Sequence, residues 1–167
     1  MLRLRPYKKG DAKYIVNWIK DEVAFRKWCA DRYDKYPISA EDINRHYAAM
    51  DDSDSFFEMT AFDEDDVIGH LIMRFTDEAK NELRLGFVIV DDTKRGKGYG
   101  KEMLQLAIKY AFEILKVKKI TLGVFENNEP AYHCYKSVGF KDVCVDKYEY
   151  YHIFGESWKC LELEMVR

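Results

Sequence analysis

The segment from Leu83 to Leu115 constrains this chain more than any other. Leu83–Val90 reads as a β-strand. Its end, Phe87-Val88-Ile89-Val90, is apolar at every position, the pattern of a strand buried on both faces. Arg95-Gly96-Lys97-Gly98-Tyr99-Gly100 follows, and then a helix whose Met103, Leu104, Ala107, Ile108, Ala111, Phe112 and Leu115 make one apolar stripe. Glycines at a helix start let the backbone approach a ligand closely. The free N–H groups and the helix dipole at that end favour phosphate.

Three nucleotide-type loops compete for these residues. A P-loop needs G-x-x-x-x-G-K-[ST], a spacing that this segment does not supply. A dinucleotide fold needs G-x-G-x-x-G with an acidic residue about 20 positions on. Here the glycines run G-x-G-x-G, and the chain near Val117–Lys119 is basic. A pyrophosphate loop of the R-x-x-G-x-G type, Arg95 to Gly100, fits without strain.

The rest of the chain supplies the sheet around this unit. Leu2 to Arg5 alternates like a short strand and stops at Pro6. Asp11 is expected to cap a helix carrying Tyr14, Ile15, Trp18 and Ile19, and Ser39 with Asp42 opens a second one with Ile43, Tyr47 and Met50. Phe25, Trp28, Cys29 and Tyr33 lie between them as an aromatic segment read as core. Phe56–Phe62 and Val67–Phe75 form a β-hairpin. Ile120–Phe125 is a strand, Pro130–Ser137 a short helix, and Lys141–Tyr150 with Trp158–Val166 a last antiparallel pair. The order gives a mixed α+β sheet, of the α/β class, in one domain spanning residues 1–167.

Bulk properties exclude several classes. The formal charge of −3 argues against nucleic acid, which needs a concentrated basic face. No apolar stretch of about 18 residues exists to span a membrane. The N-terminus carries no secretory signal pattern, and Cys29, Cys134, Cys144 and Cys160 lack any C-x-x-C pair, so a cytoplasmic protein with reduced thiols is expected. The histidines have no metal-ligand spacing, so no metal is expected.

A second constellation stands one strand after the glycine loop. Asn128, Ala131, Tyr135, Gly139 and Phe140 form N-x-x-A-x-x-x-Y-x-x-x-G-F, with Asn128 and Tyr135 two helical turns apart on one side of a helix. On these two motifs together the chain resembles the Gcn5-related N-acetyltransferase (GNAT) family along nearly its whole length. The resemblance implies about seven strands and four helices, with a V-shaped split between the fourth and fifth strands. It implies acetyl-CoA as cosubstrate and a primary amine as acceptor, in a direct attack that needs no nucleophilic Ser or Cys. The N–H groups of Arg95, Gly96, Lys97, Gly98, Tyr99 and Gly100 would hold the pyrophosphate. Val88, Ile89 and Val90 would pair with the pantetheine arm near a bulge, Asn128 would bond that arm from the other side, and Tyr135 would protonate the leaving thiolate. A non-catalytic acyl-CoA sensor is the alternative, and a homodimer is compatible with the sequence without being specified by it.

The chain departs from the family at the general base. Arg84 stands where many members carry a glutamate on the fourth strand, and Gly123 where some carry one on the fifth. Glu82, on the Arg84 face, is a weak substitute, with water, His70 and His152 equally open. Residues 18–50 and 148–158 are expected to form the acceptor site, with Trp18, Trp28, Tyr150 and Trp158 as candidates. Eight carboxylates between Asp51 and Asp66 read as solvated turns, or else as an acidic rim drawing in a cationic acceptor.

Overall fold

Alternating apolar residues build an antiparallel run of four strands, β1 (Arg3–Pro6), β2 (Phe56–Asp63), β3 (Asp66–Phe75) and β4 (Glu82–Val90), in the computed structural model, which describes residues 1–167. A parallel strand, β5 (Lys119–Phe125), joins β4 and is itself paired along its length with an antiparallel β8 (Glu156–Val166). The other edge of β8 takes β6 (Lys141–Asp142) and then β7 (Glu149–Ile153). All eight strands form one sheet, ordered β1-β2-β3-β4-β5-β8-β6 with β7 also on β8.

Five helices cover it: α1 (Ala12–Trp18), α2 (Glu22–Cys29), α3 (Ala40–Ala48), α4 (Tyr99–Lys109, continued by a π turn over Tyr110–Ile114) and α5 (Glu129–Ser137). Helices α1 to α3 pack Ile15, Phe25 and Ile43 against Ile72 and Ile89 on one face. Helix α4 packs Met103, Leu104 and Ala107 against Leu71, Leu83 and Ile120 on the other. Each of these buried Ile, Leu, Met and Phe side chains contributes roughly 1.5–3 kcal/mol of transfer free energy. The apolar stripe read from the sequence is therefore the face that seats α4 on the sheet.

The architecture matches the mixed, split sheet expected, with one more strand and one more helix. The extra helix is α2, capped by Asp21, whose carboxylate accepts from the Ala24 N–H at 2.7 Å. Its Phe25, Trp28 and Cys29 are spaced i, i+3, i+4, a helical signal inside what read as an irregular aromatic stretch. The extra strand arises because Lys141–Tyr150 is not continuous. The chain between its two pairings holds more residues than β8 offers opposite them, so it loops out and the strand divides into β6 and β7.

Two cap expectations fared differently. Ser39 and Asp42 form a reciprocal capping box at 3.0 and 3.1 Å. Asp11, by contrast, makes no side-chain cap bond to α1. Its buried carboxylate takes both Arg5 nitrogens at 2.7 and 2.9 Å and the Thr60 hydroxyl at 2.7 Å, tying the start of α1 to β1 and β2.

Two irregularities in β4 open the sheet. It pairs with β5 only over Glu82–Arg84, against Lys119–Thr121, and beyond that the two strands part. In the register with β3, His70 faces Ile89 and Ile72 faces Gly86, so Phe87 and Val88 oppose the single Leu71. This is a β-bulge, with Phe87 held at φ +49°. The β4 edge from Leu85 to Val90 is left facing the gap.

Candidate active site

The gap is a cleft of about 990 Å³, floored by β4 and β5 and walled by α2, α4 and α5. Its loop end is built by the glycine segment. Asp91 donates its N–H to the Ile68 carbonyl at 2.8 Å and accepts from the Thr93 N–H and hydroxyl at 2.9 and 2.7 Å, which fixes the exit from β4. Gly96 and Gly98 lie at φ +77° and +87°, and Gly98 is the N-cap of α4 with no side chain to satisfy the first-turn N–H groups. A Cβ at Gly98 would meet no protein atom within 4 Å. The glycine is thus not demanded by packing; it leaves open space above an array of backbone donors. Lys94, Arg95 and Lys101 line the same end, so positive charge surrounds those donors.

The opposite wall is α5, and its end explains the Y-x-x-x-G-F motif. Phe140 N–H bonds the Tyr135 carbonyl at 3.2 Å and Gly139 N–H bonds the Lys136 carbonyl at 3.1 Å, a Schellman ending. It requires the left-handed φ of +112° that Gly139 supplies. The Phe140 ring then packs edge-on against Tyr135, with centroids 6.2 Å apart, and so positions that side chain. Tyr135 is buried and lines the cleft; burial pushes its phenol pKa up, so the hydroxyl keeps its proton at neutral pH. Asn128 occupies the N-cap position of α5 yet makes no side-chain cap bond, and it too lines the cleft.

Of the residues singled out from the sequence, Val88, Ile89, Val90, Arg95, Gly96, Gly98, Tyr99, Gly100, Asn128 and Tyr135 come together around this cleft. Lys97 is exposed and does not line it. Glu82 lies where β4 and β5 are still joined, paired with Lys119 at 3.0 Å and outside the cleft. His70 is 1 % exposed, bonded to the Tyr47 hydroxyl at 2.6 Å, and held down at a pKa of about 3 by burial. His152 belongs to a separate shallow groove. Trp18 and Trp28 line the cleft, whereas Tyr150 is exposed and Trp158 packs on Phe125, leaving Tyr151 as the residue that β7 contributes. The eight carboxylates do not form one rim: seven fall at the two ends of the β2–β3 hairpin, Glu58 lies within β2, and none lines the cleft.

Sequence reasoning missed two groups. His46, on α3, lines the cleft with its ring 5.7 Å from that of the bulge residue Phe87. Burial lowers its pKa, so it is neutral at pH 7. Trp28 fixes the same bulge by donating its indole N–H to the Phe87 carbonyl at 3.0 Å. The second group is charged. Arg84 crosses from β4 toward β5 and donates to both carboxylate oxygens of Glu162 and, at 3.3 Å, to the Thr121 hydroxyl. A Cβ at Gly123 would lie 2.8 Å from its Nη2. Gly123 therefore marks where the guanidinium needs room.

The model of the acetyltransferase (GNAT) family matches residues 21–140. The curated relatives include the spermine/spermidine N(1)-acetyltransferase of Bacillus subtilis, 35 % identical over 83 residues, which are 47 % of this chain and 55 % of that protein. The chain thus spans about half the length of that relative. The spermidine N(1)-acetyltransferase of Escherichia coli K12 is 24 % identical over 83 % of this chain and 72 % of its own length. Among solved structures, spermidine N-acetyltransferase from Vibrio cholerae, in complex with CoA and spermine, superimposes with a TM-score of 0.83 at 22 % identity, covering 99 % of this chain and 95 % of that one. The family model and the shared fold agree on an acetyltransferase scaffold. The chain belongs to the GNAT family. No helix is long and apolar enough to cross a membrane.

Proposed function

We propose that this protein moves the acetyl group of acetyl-CoA to a primary amine by direct attack in a ternary complex, with Tyr135 as proton donor to sulfur and His46 as proton acceptor from the amine. The observation that carries the reading is the convergence of three features on one cleft. These are the α4 N-terminus with its open glycine loop, the unpaired β4 edge interrupted by the Phe87 bulge, and Tyr135 on α5.

The residues present fit acetyl-CoA. Backbone N–H groups from Arg95 to Gly100 would hold the pyrophosphate, helped by the helix dipole. The Val88–Val90 edge and Asn128 would hold the pantetheine arm between them. Bound there, acetyl-CoA supplies the thioester carbonyl that the amine attacks.

Proton transfer is then the protein's task. An alkyl ammonium with a pKa near ~10 must lose its proton before it can attack. A neutral imidazole beside the bulge can take that proton, and a phenol kept protonated by burial can give one to the departing thiolate. Neither group needs a carboxylate, which accounts for a site with Arg84 and Gly123 at the usual glutamate positions.

The acceptor is a small-molecule amine or the amine of a protein N-terminus or lysine. The names of the relatives put polyamines in the panel to be tested. The experiment measures free CoA released from acetyl-CoA against amines, polyamines, aminoglycosides and basic peptides. Amine-dependent release is expected; binding of acetyl-CoA with no release for any amine would leave the sensor reading in its place.

A further inference from the structure

The end of the cleft away from the glycine loop gathers three arginines, one of them without an anion. Arg74 on β3 and Arg84 on β4 are directly opposite each other in the antiparallel register, on the face that carries Ile72 and Gly86 into the cleft. Like charges facing across a strand pair destabilise the sheet unless an anion lies between or beside them. Glu162 serves Arg84. Arg74 has no hydrogen bond or ion pair of its own, although it is half-buried and lines the cleft. Arg32, three residues past the end of α2 and half-exposed, lines it too, beside the Tyr151 hydroxyl; its carboxylate partner Asp31 lies outside, in solvent. Burial first, and then the charges of Arg84 and Arg32, push the Arg74 pKa down, as expected for a guanidinium with no anion near it.

The carboxylates around this arm are accounted for. Asp21, the one acid that lines the cleft, caps α2, and its neighbour Lys20 reaches Asp92 at 3.9 Å, at the pyrophosphate-loop end. Glu58 on β2 and Glu149 on β7 do not line the cleft. Arg74 is also some five strand residues from Gly69, the partner of Val90, or roughly 17 Å along the sheet from the loop end. It is therefore badly placed to serve the phosphates of CoA.

We infer that the acceptor is an amine carrying an oxyanion, a carboxylate or a phosphate, that is bound by Arg74 together with Arg84 and Arg32 while its amino group reaches the Phe87 bulge. Planar guanidinium groups bind such oxyanions through paired, charge-assisted hydrogen bonds. Arg74, the one of the three without a carboxylate partner, disfavours a polyamine. This assignment rests on the acetyl-transfer reading above.

The test compares acceptors of similar length: γ-aminobutyrate and 3-aminopropyl phosphate as anions, 4-aminobutanol as neutral, and 1,4-diaminobutane and spermidine as cations. Free CoA is separated chromatographically so that the exposed thiol of Cys144 does not interfere. One of the two anionic amines should exceed the alcohol in kcat/KM by roughly 10–100-fold, the range for hydrogen bonds to charged groups, and the diamines should fall below it. Whichever anion is preferred distinguishes carboxylate from phosphate. Arg74→Gln should collapse the preference through KM, and Arg74→Lys should restore part of it, with acetyl-CoA affinity by calorimetry as the check on folding. Preference for spermidine in the wild type, or an unchanged ratio in a folded Arg74→Gln, overturns the assignment. If acetyl-CoA binds but no amine releases CoA, the acetyl-transfer reading has failed, and γ-aminobutyrate is titrated directly into the CoA-loaded protein. Binding that Arg74→Gln abolishes then upholds the oxyanion pocket, and no binding overturns it.

Discussion

Gly98→Val separates ligand approach from backbone strain, because the molecule contains its own control. Gly98 lies at φ +87° and a Cβ there would have no protein atom within 4 Å; Gly155, in the β7–β8 turn, lies at φ +72° with equally open space. A left-handed conformation costs an L-residue roughly 1–2 kcal/mol, and a β-branched one more. For a domain of this size each kcal/mol is worth about 2–4 °C in Tm, so both Gly98→Val and Gly155→Val should melt some 2–8 °C lower and stay folded at 25 °C. Their ligand binding should diverge. The isopropyl group introduced by Gly98→Val would stand over the free N–H groups at the start of α4 and displace an oxyanion held there. Loss of even two charge-assisted hydrogen bonds at about 1.5 kcal/mol each weakens binding at least 100-fold. Calorimetric titration of acetyl-CoA into both variants reads the difference directly. Wild-type affinity in Gly98→Val would refute the loop assignment, and an equal loss in Gly155→Val would reduce the effect to general destabilisation.

The proton donor and acceptor have distinct signatures. Tyr135→Phe keeps the ring against Phe140 and should lower kcat about 10–100-fold, the low end for general acid catalysis because a thiolate with pKa near ~8.5 is a fair leaving group; the deficit should shrink above that pH. His46→Gln should lower kcat at pH 7 and remove the fall in kcat/KM toward acid that imidazole protonation causes, while acetyl-CoA affinity holds. Burial holds the folded pKa of His70 at about 3, below its unfolded value near 6.5, so the unfolded chain binds the extra proton between these limits. Stability should therefore be complete above pH ~6.5 and fall as pH drops through that window, and His70→Gln should flatten the fall in Tm between pH 7.5 and 5. Glu162→Gln should destabilise by about 1–3 kcal/mol, between exposed and buried ion pairs, and by more than Arg84→Gln, because it leaves Arg84 facing Arg74 with no anion; urea titration of both variants and the double variant tests this order.

The loop and the α5 motif were legible because each is local. Gly98 caps the helix that follows it, and Gly139-Phe140 ends the helix that carries Tyr135, so a few residues of spacing contain the whole device. Helix α2 was legible in principle, since Asp21 and the i, i+3, i+4 set of Phe25, Trp28 and Cys29 were present; the density of aromatic residues hid the period. His46 could not be found in the same way. It reaches the cleft only when α3 is laid over the bulge at Phe87, and the bulge itself depends on which residues of β3 face β4.

Charge shows the limit most clearly. In the sequence, Arg84 and Gly123 mark the loss of a catalytic base, and the acid-rich stretch from Asp51 to Asp66 suggests attraction of a cation. The fold reverses the sign. It sends seven of those eight carboxylates to the two ends of a hairpin, and none of them to the cleft. It then sets Arg74 opposite Arg84 through a register that no single strand encodes, and brings Glu162 from far along the chain to satisfy only one of them. Gly123, across on β5, keeps clear the space that the Arg84 guanidinium fills, so the two departures from the family pattern are one structural fact. A net charge of −3 over the whole chain thus coexists with an arginine-lined arm of the cleft. On the proposed assignment, it is this local field, acting over a few ångströms in a partly dry cleft, that selects the amine.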